Sequence, residues 1–175
     1  DRAGIVGADG ETHQGIFDLS YLSSIPGMTI MAPKNKWELS DMMKFAVDFE
    51  GPIAIRYPRG AAYDGLTEKR SDIKYAASEK LFEGEGVVLL AVGSMVETAV
   101  AVREKLLKEG INAAVINARF IKPVDEEMVR EAVKSFKLIV TLEENVLSGA
   151  FGEKVRAKAD ELKFTGDIIN IGIPD

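Results

Sequence analysis

The chain has 175 residues, enough for one ordinary domain or two small ones, and its 46% hydrophobic and 29% charged content is globular rather than disordered. Its 22 basic and 28 acidic residues leave a net charge of −6, and no Lys/Arg run overrides that average, which argues against nucleic acid as a partner. With no cysteine, disulfides, thiolate metal sites and a Cys nucleophile are excluded, and no apolar run approaches the roughly 20 residues of a membrane helix.

Residues 1–28 are punctuated by Gly4, Gly7, Gly10 and Gly15 and show little periodicity, which predicts a long functional loop. Phe17, Leu19, Tyr21 and Leu22 predict a short helix before the stop at Ile25-Pro26-Gly27. Residues 28–32 form an apolar strand ended by Pro33. Asn35 and Glu38 have the spacing of a capping box, and Trp37, Leu39, Met42, Met43, Ala46 and Phe49 give the following helix its apolar stripe. Gly51-Pro52 ends that helix, residues 53–56 form a strand, and Tyr57-Pro58-Arg59-Gly60 terminates it. Residues 61–80 are polar and aperiodic and read as a linker.

From Leu81 the pattern is regular. Residues 87–92 are a continuous apolar strand, as expected where helices cover both sheet faces. Ser94 and Glu97 have capping-box spacing, Val96, Ala99, Val100 and Leu107 line a helix, and Gly110 closes it. Residues 113–117 form a strand. Pro123 opens a helix with Asp125, Glu126 and Glu127 in its first turns and Lys134 and Lys137 near its end, a charge order that complements the helix dipole. Strand 138–142, helix 151–162 and strand 168–173 follow. The alternation predicts two α/β units with mostly parallel sheets. The first has only two clear strands of its own, too few for an open sheet. The chain starts at Asp1 without a signal-peptide pattern and stops just after an apolar run, so both ends read as cuts in a longer polypeptide.

The segment richest in chemistry is residues 1–15, which contains His13, the single histidine. An imidazole titrates near neutrality and suits proton transfer, although a lone loop histidine is also commonly just solvated. Asp9 is close enough in sequence to orient His13 or to bind a substrate hydroxyl, while Asp9-Gly10 is equally an ordinary turn. Arg2 and Arg59 offer permanent charge and a planar fork that fits phosphate; an isolated Arg also pairs with surface carboxylates.

The core GADGETHQGIFDLSYL in residues 1–21 resembles the loop and helix of the pyrimidine-binding domain of the 1-deoxy-D-xylulose-5-phosphate synthases, which are transketolase-like enzymes. The resemblance continues through IPGMTIMAPKN at 25–35, AIRYPRG at 54–60, ARFIKPVDE at 118–126, TLEENVLSGAFG at 141–152 and NIGIPD at 170–175. Transketolase proper has a similar loop but usually Pro where this chain has Gly15, and the β-type subunits of 2-oxoacid dehydrogenases resemble the loop less.

The resemblance implies an α/β fold: residues 1–60 as the C-terminal part of a pyrimidine-binding domain, 61–80 as linker, and 81–175 as a transketolase C-terminal-type domain with a mostly parallel sheet. It implies a transferase that uses thiamine diphosphate and Mg²⁺ to condense pyruvate, with decarboxylation, and D-glyceraldehyde 3-phosphate. Such an enzyme is expected to be a cytoplasmic homodimer supplying isoprenoid, thiamine and pyridoxal synthesis. His13 falls at the histidine near the reacting carbons, Asp9 at the aspartate that binds substrate hydroxyls, and Arg2 and Arg59 at the arginines that grip the acceptor's phosphate. Arg56 is a weaker candidate because of its strand position, and Tyr57 reads as a packed strand-end aromatic.

The family's Gly-Asp-Gly diphosphate-and-metal motif is absent, and Gly7-Ala8-Asp9-Gly10 does not replace it. These residues alone are therefore expected neither to bind the cofactor tightly nor to turn over. In the second half, Glu143-Glu144-Asn145 is expected to be solvated, and Ser148–Gly152 to be a structural turn rather than an anion site. The remaining alternatives are another transketolase-like enzyme, a split subunit paired with a separate N-terminal chain, and a non-catalytic dimerisation or binding module.

Overall fold

The computed structural model describes residues 1–7 and 9–174. Two sheets carry the architecture. The smaller contains β1 (Thr29–Met31), β2 (Ile53–Ile55) and β6 (Phe120–Lys122) in the order β2-β1-β6. The larger contains β3 (Glu79–Phe82), β4 (Gly86–Ala91), β5 (Ala114–Asn117), β7 (Phe136–Val146) and β8 (Asp167–Ile173) in the order β3-β5-β4-β7-β8. Only β3 runs antiparallel in the larger sheet, so that sheet is mostly parallel as expected. The third strand of the smaller sheet comes from the second half of the chain. β6 pairs antiparallel with β1, so the shortage of strands in residues 1–60 is partly made up from residues 120–122.

The helices are α1 (Asp18–Ser23), α2 (Lys36–Val47), α3 (Met95–Lys108), α4 (Glu126–Ser135) and α5 (Phe151–Glu161). The inside positions of β4, β5 and β7 explain their placement. Val88, Leu90 and Ile139 pack with Val129 and Ala132 of α4 and Val155 and Ala159 of α5. Leu89, Ala91, Val115 and Val140 face the other way, against Val96 and Ala99 of α3. Helices on both faces need strands apolar on both faces, which is why β4 lacks alternation. Leu19 and Ile30 join the α4–α5 core, so the two halves share one hydrophobic interior. A third cluster of Met31, Met42 and Phe120 closes the smaller sheet against α2, with Phe45 edge-on to Phe120 at 6.2 Å. Each such fully buried side chain stabilises by about 1.5–3 kcal/mol relative to leaving it exposed.

The caps differ from the sequence patterns in an informative way. Asn35 Oδ1 accepts from Glu38 N at 2.9 Å, as the pattern predicts. Glu38 does not return the bond to Asn35. Its carboxylate accepts from Lys34 N at 2.7 Å and faces a buried ion cluster. In that cluster Lys34 Nζ reaches Glu38 at 3.1 Å and Glu79 at 2.6 Å, and Arg119 reaches Glu38 at 2.7 Å and Glu79 at 3.0 Å. Asn117 Nδ2 donates to both Glu38 oxygens, and Arg119 also holds the carbonyls of Ser71 and Asp72. At α3, Ser94 makes no cap hydrogen bond; its hydroxyl donates to Glu144 instead. No helix among the described residues is long and apolar enough to cross a membrane.

Candidate functional site

The glycine-rich loop lies beside the C-terminal ends of β1 and β2 and is closed on itself by backbone bonds. Gly4 N donates to Gly15 O at 2.9 Å and Gly15 N donates to Gly4 O at 3.0 Å, while Ala3 N donates to Tyr57 O just beyond β2. Both glycines are required sterically. Gly4 has φ +78°, and a Cβ there would stand 2.6 Å from the Glu144 carboxyl carbon. A Cβ on Gly15 would collide with the Arg2 carbonyl. Inside the closed loop the Gln14 side chain replaces missing strand pairing. Its amide nitrogen donates to Val6 O at 2.8 Å and Gly10 O at 2.7 Å, and its oxygen accepts from Val6 N at 2.6 Å.

This closure brings three of the four sequence candidates together. Arg2 Nε donates to Asp9 Oδ2 at 2.6 Å, and Arg59 pairs with the other oxygen, Asp9 Oδ1. The guanidiniums remain half exposed while Asp9 is largely covered. Two cations around one anion leave a net positive charge, reduced by Asp1 at 3.8 Å from Arg2. His13 stands apart on a turn of 3₁₀ helix, exposed, with its Nδ1 sharing a 2.9 Å hydrogen bond with Thr12 Oγ1. Both Asp9 oxygens face arginines, so orienting His13 is not what Asp9 does in this arrangement. His13 and Arg2 nonetheless line one cavity of about 420 Å³ with Asp18 and Tyr21. Arg59 faces two neighbouring cavities of about 500 and 360 Å³. Among the described residues one buried side-chain oxygen lacks a partner, Asp18 Oδ1.

Arg56, the weaker candidate, is buried beneath the loop. It bonds Asp18 Oδ2 at 2.8 Å, Gly15 O at 2.5 Å and Glu144 O at 2.6 Å. Tyr57 lines the 500 Å³ cavity and contributes its carbonyl to the loop closure.

Glu143-Glu144-Asn145 is not solvated as the sequence suggested. Glu143 is 2% exposed and accepts from Phe151 N at 2.9 Å and Gly152 N at 2.8 Å, so the anion at the start of α5 is the protein's own carboxylate. Burial pushes its pKa above the ordinary carboxylate value, and the two backbone N–H bonds oppose that rise. Asn145 is fully buried and caps α1 from outside, its Oδ1 accepting from Leu19 N at 3.1 Å. Sequence reasoning missed Asn145 because its partners in α1 are brought to it by the fold, and missed Glu143 and Gln14 because their bonds to nearby backbone groups leave no periodic signal.

The donor set suits an anionic, phosphorylated ligand.

Comparison with known proteins agrees with this architecture. Residues 1–64 match the model for the transketolase pyrimidine-binding domain and residues 76–175 the model for the transketolase C-terminal domain. The chain is 54% identical over its whole length to a 1-deoxy-D-xylulose-5-phosphate synthase of Lachnoclostridium phytofermentans and 46% identical to that of Aquifex aeolicus. It spans 28% of the length of these curated relatives. Among solved structures, a split gene transketolase, described as an inactive beta4 tetramer, superposes with a TM-score of 0.87 at 27% identity, covering 94% of this chain and 54% of that one. A Pichia stipitis transketolase mutant, at 20% identity and a TM-score of 0.68 over 93% of this chain and 23% of that one, shares the fold. The chain belongs to the transketolase family, with residues of both the pyrimidine-binding and the C-terminal domain, and over its whole length it is similar to part of the 1-deoxy-D-xylulose-5-phosphate synthases.

Proposed function

We propose that this chain is the C-terminal part of a synthase that condenses pyruvate, with decarboxylation, and D-glyceraldehyde 3-phosphate to 1-deoxy-D-xylulose 5-phosphate. The observation that carries this reading is the Arg2–Asp9–Arg59 triad beside a cavity edged by His13. A phosphate monoester is a planar-fork target, and two half-exposed guanidiniums held by one carboxylate present such forks ready-oriented. Asp9 keeps one lone-pair direction on each oxygen for a substrate hydroxyl. In the tautomer in which His13 Nδ1 accepts the 2.9 Å bond from Thr12 Oγ1, Nε2 carries the ring proton and donates a hydrogen bond. Directed at the acceptor's carbonyl oxygen, that donor stabilises the negative charge developing there as the new carbon–carbon bond forms.

Dependence on thiamine diphosphate is implied by the family, and the thiazolium supplies the electron sink for decarboxylation when bound. The diphosphate and its Mg²⁺ are held by residues outside this chain. Division into residues 1–60, a linker at 61–80 and residues 81–175 is part of the same reading, as are cytoplasmic location and a homodimer. Ile169 and Ile171, about half exposed on the edge strand β8, suit such an interface.

Two measurements test the reading. In the longer enzyme, Arg59→Ala is expected to raise KM for the phosphorylated acceptor roughly 10- to 100-fold, the value of a charge-assisted hydrogen bond, while KM for pyruvate holds. Equal loss for unphosphorylated glyceraldehyde would remove the phosphate role. Calorimetric titration with thiamine diphosphate and Mg²⁺ is expected to show no tight binding to residues 1–175 and binding once the N-terminal region is restored.

A further inference from the structure

We infer that Arg56, Glu144 and Asn145 are positioning residues that couple the glycine-rich loop to the end of β7, so that the C-terminal sheet sets the geometry of Arg2, Asp9 and His13. What the loop binds rests on the proposed function; its mechanical dependence on these residues does not.

The two ends of the loop closure are Gly4 and Gly15, and Glu144 stands against the first directly and is linked to the second through Arg56. Its carboxylate lies where a Gly4 side chain would be, with atoms 2.6–2.8 Å from that position, and Ser94 at the start of α3 donates to it. Its carbonyl accepts from the same Arg56 nitrogen that donates to Gly15 O. Arg56 Nε completes the fork on Asp18, the first residue of α1. One guanidinium, 6% exposed, therefore ties together the loop end, α1 and β7. The next two residues of β7 extend the tie. Asn145 Oδ1 accepts from Leu19 N at 3.1 Å and its Nδ2 donates to Ser20 Oγ at 2.8 Å, and Val146 N donates to Ile16 O at 2.8 Å. Ile16, Leu19 and Ser20 are thus held directly by a strand from the other half of the chain, and Gly15 and Asp18 are tied to it through Arg56.

A buried guanidinium is a poor device for stability alone, because its desolvation offsets most of the Coulomb gain. Its strength is directional: a planar fork fixes several acceptors at once, which the single ammonium of lysine cannot reproduce. Arg56 is spent on two carbonyls and a carboxylate rather than on solvent or ligand. That assigns it to geometry rather than to chemistry, although its cavity also holds Arg2 and His13.

The test uses Arg56→Lys, Glu144→Gln and Asn145→Ala, read by amide hydrogen exchange in the 175-residue chain and by kinetics in the longer enzyme. Arg56→Lys is expected to speed exchange in residues 2–15 by roughly tenfold or more with β4 and β5 unchanged, since local opening is separable from global unfolding. Glu144→Gln keeps shape and carbonyl and is expected to give a smaller change in the same segment. In the longer enzyme, KM for the phosphorylated acceptor should rise while KM for pyruvate holds and kcat falls less. Exchange that rises uniformly across the chain, or stays unchanged in residues 2–15, would overturn the inference. If exchange rises locally but wild-type enzyme shows no preference for a phosphorylated acceptor, the positioning role stands and the proposed function falls. Should Arg56→Lys fail to fold, Glu144→Gln and Asn145→Ala decide the question by the same readout.

Discussion

At the scale of single residues, Glu143 shows how a carboxylate earns its place in an interior. It is nearly inaccessible, and burial raises its pKa, yet it satisfies two orphan N–H groups at the start of α5 that no other side chain reaches. Glu143→Gln keeps the volume but offers one oxygen where two acceptors are needed, and turns an N–H donor toward a backbone N–H. The expected cost is about 1–3 kcal/mol, the penalty of one unsatisfied buried donor. For a chain of this size that lowers Tm by about 2–4 °C per kcal/mol, measurable by calorimetry. Neighbouring Lys154 gives a contrasting case. Its ammonium bonds Gly149 O at 2.6 Å and Ala150 O at 3.0 Å, and burial lowers its pKa below the ordinary lysine value. The same corner of the fold penalises both signs of charge, and hydrogen bonds decide which groups it keeps.

At the scale of elements, the loop closure at Gly4 and Gly15 joins local conformation to packing. Gly4→Ala meets two separate obstacles, a φ of +78° and the Glu144 carboxylate. The left-handed backbone alone costs about 1–2 kcal/mol for a residue with a Cβ. Combining Gly4→Ala with Glu144→Ala removes the collision and leaves that backbone cost. The double variant is therefore expected to lose less than the sum of the singles, and a double-mutant cycle by urea denaturation measures the difference. Periodicity made most elements legible from the sequence. The strand expected at 28–32 is β1, the helix capped by Asn35 is α2, and the strand expected at 138–142 is the middle of β7. The misses share one cause. β6, no shorter than β1, exists because β1 from the other half of the chain offers it an antiparallel edge, which no local pattern shows. Ser94 has the spacing of a local cap but finds a better acceptor in Glu144, 50 residues away. Arg2, Asp9 and Arg59 were legible as chemistry, whereas their convergence on one carboxylate depends on Tyr57 and Gly15 folding the loop back.

At the scale of the whole molecule, the two sheets are joined by an apolar core and by the Lys34–Glu38–Glu79–Arg119 cluster, two cations and two anions nearly free of solvent. Such a cluster adds little net stability as a whole, but removing one member strands the opposite charge. Glu79→Gln leaves one uncompensated cation there and is expected to cost about 3–5 kcal/mol at neutral pH. Burial pushes the Glu79 carboxyl upward, but the hydrogen bonds from Lys34 and Ser71 and the nearby Arg119 and Lys34 charges outweigh it, leaving the pKa below its usual 4.5. A carboxylate with a depressed folded pKa binds protons more weakly folded than unfolded. Its stabilisation is therefore complete above the unfolded value of 4.5 and fades as pH falls through the lower folded value. Glu143, with its raised pKa, has the opposite sign: its contribution is present below the ordinary carboxylate value and lost as pH rises through the folded one. Both titrate in wild type, but only Glu143 does in Glu79→Gln, so the difference between the two proteins isolates Glu79. Chemical denaturation between neutral and acid pH should give a constant wild-type advantage down to about pH 5 and a shrinking one below it. An advantage independent of pH throughout would mean that Glu79 holds the halves together by shape and hydrogen bonding, with its charge playing no part.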